Sequence, residues 1–280
     1  MSWVLVGWAA HHSSARSSVH PVAQRQAAAF LEQGLFPATT LLLLSGAVVA
    51  CLGFADDIST VRPSVRFAVE VVAALAVAFG GVALTVFDPT RVPIVGTHGI
   101  AGMVIFASFV VFFVVGAINA VNMQDGLDGL AGGVAAVSCI GFFAVGSWSG
   151  QSIIAVAALS LGAALAGFLV FNFNPASVFM GDNGSYFVGL VIAGLGLLVL
   201  FKQGSLAGLA GGVLLVGLPV FDAAFAVVRR VAKGVSPFEG DRSHFYDLLC
   251  QRGLGTRAVA LTCYALQAVF VAAGVALLLS

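Results

Sequence analysis

The sequence predicts an all-α polytopic membrane protein with about eight full transmembrane helices and a short or truncated N-terminal segment. Three observations predict this class. Of the 280 residues, 60% are hydrophobic and 9% charged, against about 25% charged in an average soluble domain. The apolar residues come in blocks of about 20, the length that crosses a bilayer as a helix. Most acids fall between or at the ends of those blocks, as they must where a carboxylate at mid-bilayer costs roughly 2.5–3.5 kcal/mol.

Residues 1–34 are rich in Ser, His, Ala and Gln and follow no clear period. Residues 3–10 are apolar but too short to span, and they lack the charged start and cleavage site of a signal peptide. Eight spans then follow at 35–54, 65–87, 100–121, 133–147, 152–171, 185–201, 207–228 and 258–279. Each is wholly or largely apolar, and a helix satisfies its backbone polar groups without water. The 34 glycines allow close helix approach. Residues 35–280 therefore read as one transmembrane domain.

Eight spans put loops 55–64, 122–132, 172–184 and 229–257 on one side and 88–99, 148–151 and 202–205 on the other. The first side carries Arg62, Arg229, Arg230, Lys233, Arg242, Arg252 and Arg257, with Arg66 just inside a helix. The second carries only Arg91 and Lys202. This asymmetry orients the first side to the cytoplasm. Net charge is zero, so no global field is directed at nucleic acid. Cys51, Cys139, Cys250 and Cys263 form no CxxC pair, and they read as buried thiols, neither disulfides nor a metal site.

Most of the acids collect on the cytoplasmic side. Asp56 and Asp57 end the first span, and Asp125 and Asp128 follow the third with Asn119 and Asn122 ahead of them at the same spacing. Asp182 lies between Gly181 and Gly184, after Pro175 has stopped the preceding helix. Asn183 or Asp182 is placed to cap the next helix, whose free N–H groups suit a phosphate. Phe179 is either core or a face on which a base stacks, and the residue alone favours core. Asp222 sits inside the seventh span after Pro219, and the last loop carries Glu239, Asp241, Arg242, His244 and Asp247. Separated carboxylates, glycine-framed loops and arginines at one membrane face fit a diphosphate substrate with Mg²⁺, which takes one or two carboxylates plus phosphate oxygens.

Four segments in order carry a resemblance over most of the chain: F-A-D-D, N-A-V-N-M-Q-D-G-L-D-G-L-A, N-F-N-P-A-S-V-F-M-G-D-N-G-S and P-V-F-D…R-R…S-P-F-E-G-D-R-S-H. They resemble the polyprenyl-phosphate N-acetylhexosamine-1-phosphate transferases of glycosyltransferase family 4. The resemblance implies a bacterial inner-membrane enzyme that moves a sugar-1-phosphate from a UDP-N-acetylhexosamine to undecaprenyl or another polyprenyl phosphate and releases UMP. It implies Mg²⁺ as cofactor, with Mn²⁺ as the substitute, and permits a homo-oligomer.

Carried onto this chain, the resemblance makes Asp182 the metal ligand. Asp56 and Asp57 become the pair at the lipid phosphate or the metal. Asn122, Asp125 and Asp128 become nucleotide-sugar contacts, Phe179 the ring on uracil, and His244 the first histidine of the last-loop motif. Asn119, Asn172, Asp241 and Arg242 complete the expected substrate-binding set. Phe245, Tyr246 and Asp247 stand where that motif often continues with histidine, which fits the branch starting O-antigen, teichoic-acid and related glycans better than the muropeptide branch. The stretch 13–30 resembles a worn copy of the family's Pro-Arg-Gly-Gly loop, which leaves an inactive or truncated relative as one alternative. A transporter is the other, although intramembrane transport sites sit near the midplane and within related halves, and no internal repeat is visible.

Overall fold

A computed structural model describes residues 35–79, 100–203, 205–232, 234 and 244–280. The N-terminal segment 1–34, the opposite-side loop 88–99 and the site candidates Asp241 and Arg242 lie outside the described residues. The described chain is all-helical: α1 Leu35–Ile58, α2 Pro63–Val77, α3 Ile100–Gln124, α4 Leu130–Trp148, α5 Ser152–Asn172, α6 Gly181–Gln203, α7 Leu206–Leu215, α8 Gly217–Ala232, α9 Phe245–Gln251 and α10 Thr256–Leu279. Six of these are long and apolar enough to cross a membrane: α1, α3, α4, α5, α6 and α10. The protein is a multi-pass helical membrane protein. The second expected span, 65–87, begins as α2 and runs out of the described residues.

Helix α6 is the hub. From Leu190 to Leu200 its side chains are buried on all sides. One core joins it to α1, α2 and α3 through Val49, Ala74, Val110, Ile118 and Leu197. A second joins it to α4, α5, α7 and α10 through Phe142, Ile154, Leu195 and Leu215. A third core, under α8 and α9, packs Leu130, Leu218, Tyr246 and Val259. A helix apolar all round is stable in this central position, so α6 holds the polar end that starts at Gly181 at the middle of the bundle.

The seventh expected span is not one helix. It divides at Val216 into α7 and α8, which meet at 89°, so eight straight spans are not what the described chain contains. Pro219 explains the break, because it has no N–H and its ring clashes with the carbonyl four residues back, Leu215 in a continuous helix. Inside the first turn of α8 the same proline costs nothing, since those N–H groups have no intrahelical partner. The cysteines also divide. Cys139 and Cys263 are buried, but Cys250 is only half-buried and Cys51 is exposed, because the bundle turns that face of α1 away from α6.

Candidate functional site

The polar ends of α1, α3 and α6 converge. Helix α1 runs to Ile58, so Asp56 and Asp57 lie in its last turn, and α3 runs to Gln124, so Asn122 is helical like Asn119 rather than the start of the loop. Gly53 brings α1 against the start of α6 so closely that a Cβ there would collide with the Asp182 carbonyl. One turn further on, the Asp57 carboxylate accepts hydrogen bonds from the backbone N–H groups of Asp182 (2.9 Å) and Asn183 (3.2 Å). Gly181 adopts φ +66° beside that carboxylate, a conformation that suits glycine. The cap of α6 therefore comes from α1, not from Asp182 or Asn183. The Asn183 side chain instead donates to the Ala50 carbonyl (3.0 Å).

Asp56, beside the Asp182 side chain, has further partners of its own. Its carboxylate accepts from Arg66 Nη1 (2.8 Å), from the Val61 N–H (2.7 Å) and from Tyr186 Oη (3.3 Å). Asn122 donates to Asp182 Oδ1 (2.6 Å) and to Ser185 Oγ (3.0 Å). Asn119, one turn earlier, donates to buried Glu70 of α2 (2.7 Å). Asp125 lies just past α3, and its carboxyl is pushed up to about 7 by burial and by the negative charges of Asp182 and Asp57, against an opposing hydrogen bond from the Gly181 N–H. The fold thus brings Asp56, Asp57, Asp125, Asp182 and Asn122 to one place, with Asn119 on the adjoining turn.

Asp128 and Asn172 form a neighbouring brace between two loops. Asp128 accepts from Asn174 Nδ2 (2.9 Å) and the Ala176 N–H (3.1 Å). Asn172 is buried, accepts from the Gly129 N–H (3.0 Å) and donates to the Val178 carbonyl (2.9 Å). These bonds shape the loop that carries Phe179. Phe179, three residues before Asp182, is 72% exposed, so the core reading of this residue is overturned. Arg257 Nε donates to the Asn174 carbonyl (2.7 Å), which ties α10 to the same loop.

His244 precedes α9 and is buried. Its Nδ1 is 3.2 Å from Asp222 Oδ2, and Asp222 Oδ1 accepts from the Phe245 N–H (2.7 Å). The Tyr246 ring stacks near-parallel on the imidazole, and its hydroxyl donates to the Met123 carbonyl at the end of α3 (2.9 Å). That bond links the histidine to the acid cluster. Sequence reasoning noted Asp222 and Tyr246 without a site role and passed over Glu70, Tyr186 and Tyr264, whose hydroxyl donates to the Gly129 carbonyl. A buried acid such as Glu70 in an apolar helix was a visible signal, whereas a tyrosine among many aromatics was not.

Among the described residues no three His, Cys, Asp or Glu side chains converge as a preformed metal site. The donor set still fits Mg²⁺. That ion needs only one or two carboxylates beside substrate oxygens, and Asp125 and Asp182 are two acids near enough for their charges to repel, a repulsion that a cation would relieve.

Residues 39–200 match the family described as Glycosyl transferase family 4. The chain is 30% identical over 248 residues to the probable undecaprenyl-phosphate N-acetylglucosaminyl 1-phosphate transferase of Bacillus subtilis, covering 87% of this chain and 67% of that protein. It is 32% identical over 246 residues to the undecaprenyl-phosphate alpha-N-acetylglucosaminyl 1-phosphate transferase of Haemophilus influenzae, covering 84% and 67%. It is 31% identical over 245 residues to the decaprenyl-phosphate N-acetylglucosaminephosphotransferase of Mycobacterium leprae, covering 80% and 60%. With four polar clusters gathered at the ends of apolar helices and a family match across most of α1 to α6, this chain belongs to glycosyl transferase family 4.

Proposed function

We propose that this protein transfers N-acetylglucosamine-1-phosphate from its UDP-sugar to a polyprenyl phosphate, undecaprenyl phosphate in the first instance, and releases UMP. The observation that carries this reading is the convergence of Asp57, Asp125, Asp182 and Asn122 at the capped end of α6, in a chain whose relatives carry that activity in their names. The active face is cytoplasmic in a bacterial inner membrane, which the arginine asymmetry supports.

In this mechanism an oxygen of the lipid phosphate attacks the β-phosphorus of the donor. The bond from that phosphorus to the bridging oxygen breaks, and UMP leaves with the bridging oxygen. A phosphomonoester has its second pKa near 6, so the attacking phosphate is largely dianionic at neutral pH and needs no strong base. Mg²⁺, or Mn²⁺ in its place, would be held by Asp182 with Asp125 and would neutralise charge on the diphosphate. The protein's own contribution is positioning and electrostatics, as in other phosphoryl transfers. Asp57 fixes the Asp182 backbone, Asn122 orients the Asp182 carboxylate, and Arg66 is held by Asp56 within reach of the same cluster. Phe179 offers its exposed face to the uracil, and His244 is oriented by Asp222.

The test is UMP release from UDP-N-acetylglucosamine by purified protein with undecaprenyl phosphate and Mg²⁺, beside Asp182→Asn. Release that needs the metal and vanishes in Asp182→Asn supports the reading. Donor binding with no release would mark an inactive relative.

A further inference from the structure

The break between α7 and α8 leaves backbone groups without helical partners, and one side chain takes them up. Gln267 of α10 is wholly buried. Its Oε1 accepts from the Leu218 N–H (2.8 Å), and its Nε2 donates to the Leu215 carbonyl (2.8 Å) and to Ser138 Oγ (3.0 Å). Ser138 in turn donates to the Val134 carbonyl of α4 (3.2 Å). Both amide protons of Gln267 are used, and its oxygen is bonded. In a chain that crosses a membrane, non-helical backbone survives only where protein groups replace the missing bonds. Gln267 is that replacement on both sides of Val216.

The consequence reaches the site. Leu218 and Asp222 are four residues apart and share the buried face of α8. The direction in which α8 leaves the break therefore sets where the Asp222 carboxylate lies. That carboxylate receives the Phe245 N–H and faces His244 Nδ1. No other side chain described bonds both sides of the break, whereas the Phe221–Phe270 contact only packs α8 on α10.

We propose that Gln267 is a positioning residue for the reaction: by bonding Leu215 and Leu218 across the break it aims α8 so that Asp222 holds His244 in the site. The inference rests on the transferase reading in taking His244 as part of that site, but one arm of its test does not depend on turnover. Gln267→Leu keeps the volume and removes all three bonds. In the full chain in lipid nanodiscs, Gln267→Leu is expected to lower kcat for UMP release about 10-fold, with KM for both substrates within about twofold of wild type. In a His244→Ala background the same change is expected to add nothing, because residues acting as one unit are not additive. A further loss of the same size in that background would show general loosening of the bundle and overturn the proposal.

The second arm is ¹⁵N NMR of histidine-labelled protein, with His244 identified by its loss in His244→Ala. Gln267→Leu is expected to move the His244 Nδ1 resonance while the protein remains folded by thermal melting. An unmoved resonance overturns the proposal whether or not the protein turns over, and a wild type that releases no UMP defeats only the transferase reading. Should Gln267→Leu fail to fold, Ser138→Ala removes one of the three bonds and leaves both backbone groups paired. It is expected to lower kcat by less than about 10-fold and to move the His244 Nδ1 resonance from its wild-type position, and no change in either overturns the proposal.

Discussion

Asp125 and Phe179 carry the sharpest expectations for single residues. Asp125 has an ordinary value of 3.8 that the fold raises to about 7. A raised value means that the folded state prefers the protonated acid. The stability this gives is present below pH 3.8 and is lost as pH rises through about 7. Metal-free protein is therefore expected to melt at lower temperature at pH 8 than at pH 5, and Asp125→Asn is expected to flatten that dependence. Mg²⁺ added at pH 8 is expected to raise the wild-type melting temperature, since a cation stabilises the ionised acid. Melting curves across pH, with and without the ion, check all three outcomes. Phe179 differs because its ring supports no core. Phe179→Ala is expected to leave the melting temperature unchanged and to raise KM for the UDP-sugar by about 5- to 150-fold, the range for one base stacked on an aromatic side chain. Steady-state kinetics with both substrates varied would show whether the loss falls on the donor alone.

The end of α6 is where a whole element depends on a group from another. Asp57 accepts two backbone N–H groups that α6 cannot satisfy itself. Loss of such a cap costs about 0.5–2 kcal/mol. Asp57→Ala is expected to lower both the melting temperature and turnover, because the residue that frays is the one carrying Asp182. Gly53→Ala is expected to do the same without removing any polar group, since its Cβ would collide with the Asp182 carbonyl. Normal turnover in purified Gly53→Ala protein would count against the need for this close approach. The element boundaries were legible in the apolar blocks, because lipid leaves a helix little freedom to be anything else. The bend at Val216 was not, although Pro219 was in view. Proline permits either a kink or a break, and the choice depends on whether a neighbour such as Gln267 takes up the freed groups.

Across the whole molecule, the arginine asymmetry makes a topological prediction. With the native cysteines replaced, Arg252→Cys is expected to react with a membrane-impermeant thiol reagent only from the cytoplasmic side. Ser149→Cys, in the turn between α4 and α5, is expected to react only from the opposite side. Labelling of both from one side would overturn the orientation. The hub position of α6 explains why the whole bundle matters to the site: α1 caps it, α3 orients its acid, and α10 ties down the loops around it.

The sequence by itself determined the helical class and the placing of most apolar spans, since both follow from the cost of putting polar groups in lipid. It also named most of the residues that converge, because acids beside glycines at helix ends are visible in one dimension. Only the tertiary structure decided what each acid faces. Asp57 caps a helix 125 residues away, Asp56 turns to Arg66, and Asp222 meets His244. Those pairings depend on how helices pack across the bundle, and no local spacing encodes the distance between side chains on different helices.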